Sequence, residues 1–175
     1  MRPFRLALGA LLAAIPTVTA IAAPARQACN VDVNVMDPDP AGANLRASPG
    51  GKLLRRLRAT GSSDAWVSVH ATAQLGDWIE IDSARLNDPA LPSGEKLLYR
   101  GRGYLHLGTL GFDGLQNGTT IYRDHDSASR PIDDNAPGDQ RITFLGCWRD
   151  FFHIRVAKGE GWTHGACLNM LTTCS

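Results

Sequence analysis

Apolar residues along this chain come in short runs that alternate with polar ones. No segment keeps the 3.6-residue period of an amphipathic helix over three turns. Glycine and proline punctuate the chain every few residues, so regular elements must be short and joined by tight turns. The pattern predicts an all-β protein. Its clearest strands are residues 66–71 (W-V-S-V-H-A), 78–81 (W-I-E-I), 142–146 (I-T-F-L-G) and 152–156 (F-H-I-R-V), and the last two stand close enough to form a meander.

The N-terminus breaks this pattern. Two arginines, Arg2 and Arg5, precede an uncharged apolar stretch over 6–23 that ends in small residues, the layout of a secretory signal peptide over 1–22 with cleavage near Ala22. Pro16 interrupts the stretch, which argues against a retained membrane anchor, and Arg26-Gln27-Ala28 before Cys29 is not a lipidation box. A periplasmic or secreted protein with no membrane span after cleavage is the expectation. Removing Arg2 and Arg5 leaves 16 basic against 17 acidic residues, a balance that offers no basic stripe for nucleic acid.

In an oxidising compartment the even set Cys29, Cys147, Cys167 and Cys174 favours two disulfides over free thiols. No C-x-x-C pair occurs and the histidines at 70, 106, 125, 153 and 164 are scattered, so neither a metal nor another cofactor is expected.

A weak internal repeat organises the strands. Asp77-Trp78-Ile79-Glu80-Ile81 followed by Gly101-Arg102-Gly103-Tyr104-Leu105-His106 matches Asp150-Phe151-Phe152-His153-Ile154 followed by Gly159-Glu160-Gly161-Trp162-Thr163-His164. The first copy carries about 15 extra residues, of which 86–94 (L-N-D-P-A-L-P-S-G) reads as an extended hairpin tip. Two modules result, 29–112 with the long hairpin and 119–175, joined by a Gly- and Asn-rich linker at 113–118.

Asn44-Leu45-Arg46-Ala47-Ser48-Pro49-Gly50-Gly51 resembles the N-V-R-x-x-P opening of bacterial SH3 (SH3b) domains, and Asp150-Phe151 with Gly161-Trp162 resembles their closing G-W motifs. The second module departs from the opening, with Ile121-Tyr122-Arg123 in place of N-L-R. The resemblance implies two tandem small SH3-like β-barrels. In such barrels alternation puts Ile79, Ile81, Ile154 and Val156 inside and Glu80 and Arg155 outside. Trp66, Trp78, Phe152 and Trp162 are expected to plug the interiors. Tyr104, Tyr122, Trp148 and Phe151 are candidates for an open groove holding an extended ligand against ring faces. The way SH3-like barrels fold back on themselves favours Cys147 with Cys167 and Cys29 with Cys174. The competing arrangement joins Cys167 to Cys174 and Cys29 to Cys147.

Catalytic chemistry has one foothold. Thr163-His164-Gly165-Ala166-Cys167 is similar to the S-H-G-C motif of L,D-transpeptidases, where a histidine activates a thiolate. Ala166 interrupts it, and Asn169 stands where that family has arginine. The acidic pairs Asp37/Asp39 and Asp133/Asp134 lie in turns, where aspartate caps backbone N–H groups. The run Arg55-Arg56-Leu57-Arg58 reads as a solvated strand face. No catalytic residue is assigned. A non-enzymatic binding protein follows, and SH3b likeness implies docking on cell-wall peptide or glycan, or on an envelope protein. The alternative is a protein inhibitor or immunity-type factor acting through the long hairpin; a cysteine-dependent wall enzyme is a remote third.

Overall fold

The computed structural model describes residues 25–172 and Cys174, and the segment read as a signal peptide, 1–22, lies outside them. The described chain is all-β. Its strands are β1 (Arg26–Val35), β2 (Ala43–Arg46), β3 (Leu53–Leu57), β4 (Trp66–Leu75), β5 (Trp78–Asn87), β6 (Glu95–His106), β7 (Leu110–Gly111), β8 (Gly114–Leu115), β9 (Thr119–Tyr122), β10 (Pro131–Ala136), β11 (Thr143–Trp148), β12 (Phe151–Val156), β13 (Gly159–Thr163) and β14 (Ala166–Cys167). A single turn of 3-10 helix at Leu107–Thr109 follows β6.

Two main sheets form. The first is a curled, seven-stranded sheet in the order β3-β2-β6-β5-β4-β1-β7, and the second has the order β10-β9-β13-β12-β11; β8 and β14 make a separate two-stranded ribbon. The strands around 66–71 and 78–81 run further than the sequence pattern suggests, to Leu75 and Asn87, because the β4–β5 hairpin turns tightly at Gly76, where φ is +57°. Strict alternation then buries Val67, Val69, Ala71 and Ala73 of β4 while Ser68, His70 and Thr72 face out.

The core is aliphatic and continuous across both sheets. Val33, Leu45, Leu57, Ile79, Ile81 and Leu105 of the first sheet and Ile121, Phe152, Ile154 and Val156 of the second belong to one buried cluster. The segment read as a linker is part of it. Leu115 on β8 is fully buried, and Phe112 packs its ring 5.2 Å from Phe152 and 6.0 Å from Phe144. Gly114 and Leu115 of 113–118 thus pack into the core behind Phe112, while Asp113 and residues 116–118 stay exposed.

The anticipated barrel plugs are a correction. Only Phe152 is buried; Trp66, Trp78 and Trp162 are half-exposed. Trp162 sits on an outward position of β13, since Gly161 and Thr163 occupy the inward ones. Glu80 is a second correction: it points outward as alternation requires, yet it is only 7% exposed because neighbouring side chains close over it.

The disulfides are Cys29–Cys147, with Cα atoms 5.5 Å apart, and Cys167–Cys174, with Cα atoms 5.6 Å apart. The favoured pairing of Cys147 with Cys167 and Cys29 with Cys174 is not formed; the competing one is. Its cause is that β1 of the first sheet also meets the second. The β11–β12 turn docks on a bulge of β1 between Ala28 and Val31, with Arg149 N–H donating to Ala28 O (2.7 Å) and Asn30 N–H donating to Arg149 O (2.6 Å). Cys29 therefore meets Cys147, not the chain's end. Gln74 completes the clip, accepting from Cys147 N–H at 3.1 Å, and Gln27 donates to Cys147 O.

Candidate ligand-binding face

Three of the four groove candidates come together on the outer surface of the second sheet. On β12 the inward positions are taken by Phe152, Ile154 and Val156, which turns Phe151 and His153 outward. The β12–β13 register sets His153 opposite Trp162, and Trp162 is in turn opposite Tyr122 on β9. The β11–β12 hairpin sets Trp148 opposite Phe151.

The result is a run of rings. His153 and Trp162 stack with centroids 4.3 Å apart and planes within 12°. His125, from the loop after β9, lies 4.6 Å from Trp148 and 5.3 Å from Trp162. Phe151 lies 3.8 Å from His164, with the two rings tilted by 39°, and meets Tyr122 edge-on at 6.3 Å. Arg149 places its guanidinium 5.7 Å from the Trp148 ring. It also holds a left-handed backbone, φ +51°, at the tip of the hairpin, a conformation that the two hydrogen bonds to β1 hold in place.

Sequence reasoning missed the three histidines here, because only the fold gathers them. Burial lowers the pKa of His153, against a smaller opposing pull from Glu160. A surface of π-faces flanked by imidazole and guanidinium donors suits a ligand that offers apolar faces and hydrogen-bonding edges, such as a sugar ring or a peptide unit.

Tyr104, the fourth candidate, lies elsewhere. It is on β6 in the first sheet, 8% exposed, and its hydroxyl donates to Glu80 Oε2 at 3.0 Å. Arg26 donates to Glu80 Oε1 at 2.9 Å. The Arg26 hydrogen bond is the largest influence holding the Glu80 carboxyl below its usual range, with burial opposing it and Tyr104 assisting.

The cysteine chemistry raised by 163–167 has no nucleophile, since Cys167 is bonded to Cys174 and no cysteine is free. His164 has other partners. Its Nδ1 lies 3.0 Å from the Asp150 backbone oxygen and 3.6 Å from the Asp150 carboxylate, and its Nε2 lies 3.4 Å from Ser127 Oγ. The sequence Asp150, His164, Ser127 has the order of a nucleophilic triad. However, the Asp150 carboxylate is 65% exposed and its contact is the longer one. What this arrangement does best is orient the imidazole for its tilted contact with Phe151.

The turn carboxylates divide. Asp37 and Asp39 accept local backbone N–H groups. Asp133 is buried and pairs with Lys158 at 2.8 Å, which holds its pKa low. Among the described residues no group of three or more His, Cys, Asp or Glu side chains is placed to hold a metal ion. In comparisons with known proteins, no family model, no curated relative and no solved structure matches this chain.

Proposed function

We propose that this chain is an exported, non-catalytic binding protein of the SH3b type. On this reading it docks on cell-wall peptide or glycan, or on an envelope protein, through the ring-lined outer face of β11, β12, β13 and β9. Periplasm or the extracellular space is its place of work. Two disulfides are compatible with export, and no helix among the described residues is long and apolar enough to cross a membrane.

The observation that carries the reading is the stacked pair His153 and Trp162 continued by His125, Trp148, Phe151 and Tyr122. Large rings on a sheet face are usually drawn into a core. Here the core beneath is already complete, so Tyr122, Trp148, His153 and Trp162 stay half-exposed on the outer face and close over Phe151, which is 7% exposed. A rigid β-sheet supporting them lowers the ordering cost of holding an extended ligand.

Co-sedimentation of the disulfide-intact protein with purified peptidoglycan sacculi tests it. Saturable binding that falls at least about tenfold in Trp148→Ala and Tyr122→Ala is expected, the range of one lost stacking contact at a binding hot spot. Absence of binding by the folded wild type would overturn wall docking.

A second reading, an inhibitor or immunity-type factor, is favoured by the β5–β6 hairpin. Its base is locked by Asp88, 3% exposed, which accepts from Ser62 Oγ (2.6 Å), Ser62 N–H (3.1 Å) and Ala90 N–H (2.9 Å). Leu97 beside it is 45% exposed. Protein capture that is lost with Leu97→Asp and unaffected by Trp148→Ala would select this reading.

A further inference from the structure

Outward on the first sheet, away from the ring-lined face, the β4, β5 and β6 ladders slip at one level. Between β4 and β5 the pairing moves from His70 with Ser83 to Ala71 with Ile81; between β5 and β6 it moves from Ile81 with Gly103 to Ser83 with Arg100. Bulges in adjacent strands thus coincide around Asp82, Ser83 and residues 100–102, with Gly101 at φ +131°. A bulge re-aims the side chains beside it and bends the strand, and such features gather at binding sites. A cavity of about 520 Å³ opens over them.

The charges lining this cavity do not pair off evenly. Three guanidiniums, those of Arg26, Arg100 and Arg102, share it with two carboxylates, those of Glu80 and Asp82. Glu80 is the buried post, and Arg26, Tyr104 and Thr72 already satisfy its oxygens. Asp82 is engaged by His70 Nδ1 at 3.1 Å and by Ser83 Oγ at 2.9 Å. Arg102 approaches Glu80 only to 3.9 Å and keeps 74% of its side chain exposed. Arg100 has no ion-pair or side-chain hydrogen-bond partner among the described residues. Two planar forks of N–H donors, free of short internal bonds, therefore line the cavity beside a third that is pinned by the buried carboxylate.

We propose that this cavity is a binding site for an oxyanion, a carboxylate or phosphate carried on a sugar-sized hydrophilic body, with Arg100 and Arg102 as the clamp. Bidentate pairing with either oxyanion is the geometry a guanidinium fork supplies best. The lowered pKa of Glu80 keeps the post charged, so Arg26 stays anchored while the other two remain available. A neighbouring depression of about 320 Å³ shares Asp82 and Ser83 and continues toward His70 and Arg85, giving polar groups room to follow the anion. The site is independent of the ring-lined face and stands whether or not that face binds the wall.

Titration of the full disulfide-bonded protein, followed by ¹H–¹⁵N NMR of backbone and arginine side-chain resonances at low ionic strength, tests the proposal. The probes are glucuronate, glucose 6-phosphate and uncharged glucose. Saturable shifts at Arg26, Arg100 and Arg102 are expected with both anions and none with glucose; the tighter anion identifies the source as carboxylate or phosphate. Arg100→Gln and Arg102→Gln, neither of which removes a short internal bond, should each weaken binding by about five- to tenfold. Arg155→Gln on the second sheet should leave it unchanged. Non-saturating shifts, wild-type affinity in both clamp variants, or equal binding of glucose would overturn it.

Discussion

Cys29 and Cys147 are 118 residues apart in the chain and bonded in the fold, joining the bulge of β1 to the end of β11. The bond lies where the β11–β12 turn exchanges two backbone hydrogen bonds with Ala28 and Asn30. The first and second sheets are thus tied at the point where the ring-lined face begins, one residue from Trp148.

Cross-link length separates the roles of the two disulfides. In the loop-closure picture a bond spanning 118 residues stabilises by about 5 kcal/mol, and one spanning seven by about 2.5 kcal/mol. Replacing Cys29 and Cys147 together with alanine should lower the denaturation midpoint by roughly twice as much as replacing Cys167 and Cys174. Non-reducing peptide mapping and urea unfolding check both the pairing and the ratio.

Phe112→Ala should cost about 3–5 kcal/mol, the range for a buried aromatic whose space cannot collapse. Its ring touches Phe144 and Phe152 from a segment between the two sheets. Calorimetry of the wild type should show one cooperative transition, and the variant should lose midpoint while the transition broadens or splits.

Gly146→Ala is predicted to destabilise by about 1–3 kcal/mol. The residue has φ +142°, and a Cβ there would strike the Gln74 side chain. That side chain is the acceptor for Cys147 N–H, so hydrogen exchange at Cys147 should rise more than at Ile154.

His153 sets a pH response. Its folded pKa lies below its unfolded value of about 6.5 because burial disfavours the charged ring. The unfolded state therefore takes up the proton first as pH falls. Stability attributable to His153 is complete above about pH 6.5 and declines below it, through the lowered folded pKa. His153→Gln should flatten the unfolding free energy between about pH 5 and 7. Glu80 adds a second decline at lower pH: its folded pKa is depressed, so its contribution is present above the ordinary glutamate value of about 4.3 and is lost as pH falls through the folded pKa. Glu80→Gln should remove that acidic limb.

Alternation made much of this protein legible. Val67, Val69, Ile79, Ile81, Ile154 and Val156 are inside as the period of two requires, because a strand allows each side chain only one of two faces. Tyr122, Trp148 and Phe151 were recognisable as ring-bearing positions near turns and share one face, yet Tyr104, chosen by the same rule, lies on the other sheet with its hydroxyl bonded to Glu80. The difference is a charge on the opposite strand, which a sequence pattern within one strand does not contain. Likewise, the matching D-aromatic and G-x-G-aromatic motifs did not reveal that Phe112 packs across the boundary they mark.

By itself the sequence determined the all-β class, the inward aliphatic positions and the presence of four cysteines suited to two bonds, because these follow from local periodicity and composition. Tertiary structure alone decided which cysteines meet, that His125, His153 and His164 join the aromatic rings of the second sheet, and that Arg26, Arg100 and Arg102 line one cavity with the buried Glu80. Each of these depends on strand order and register between distant segments. Pairings of that kind are selected by the packing of the whole core, so no single stretch of the chain encodes them.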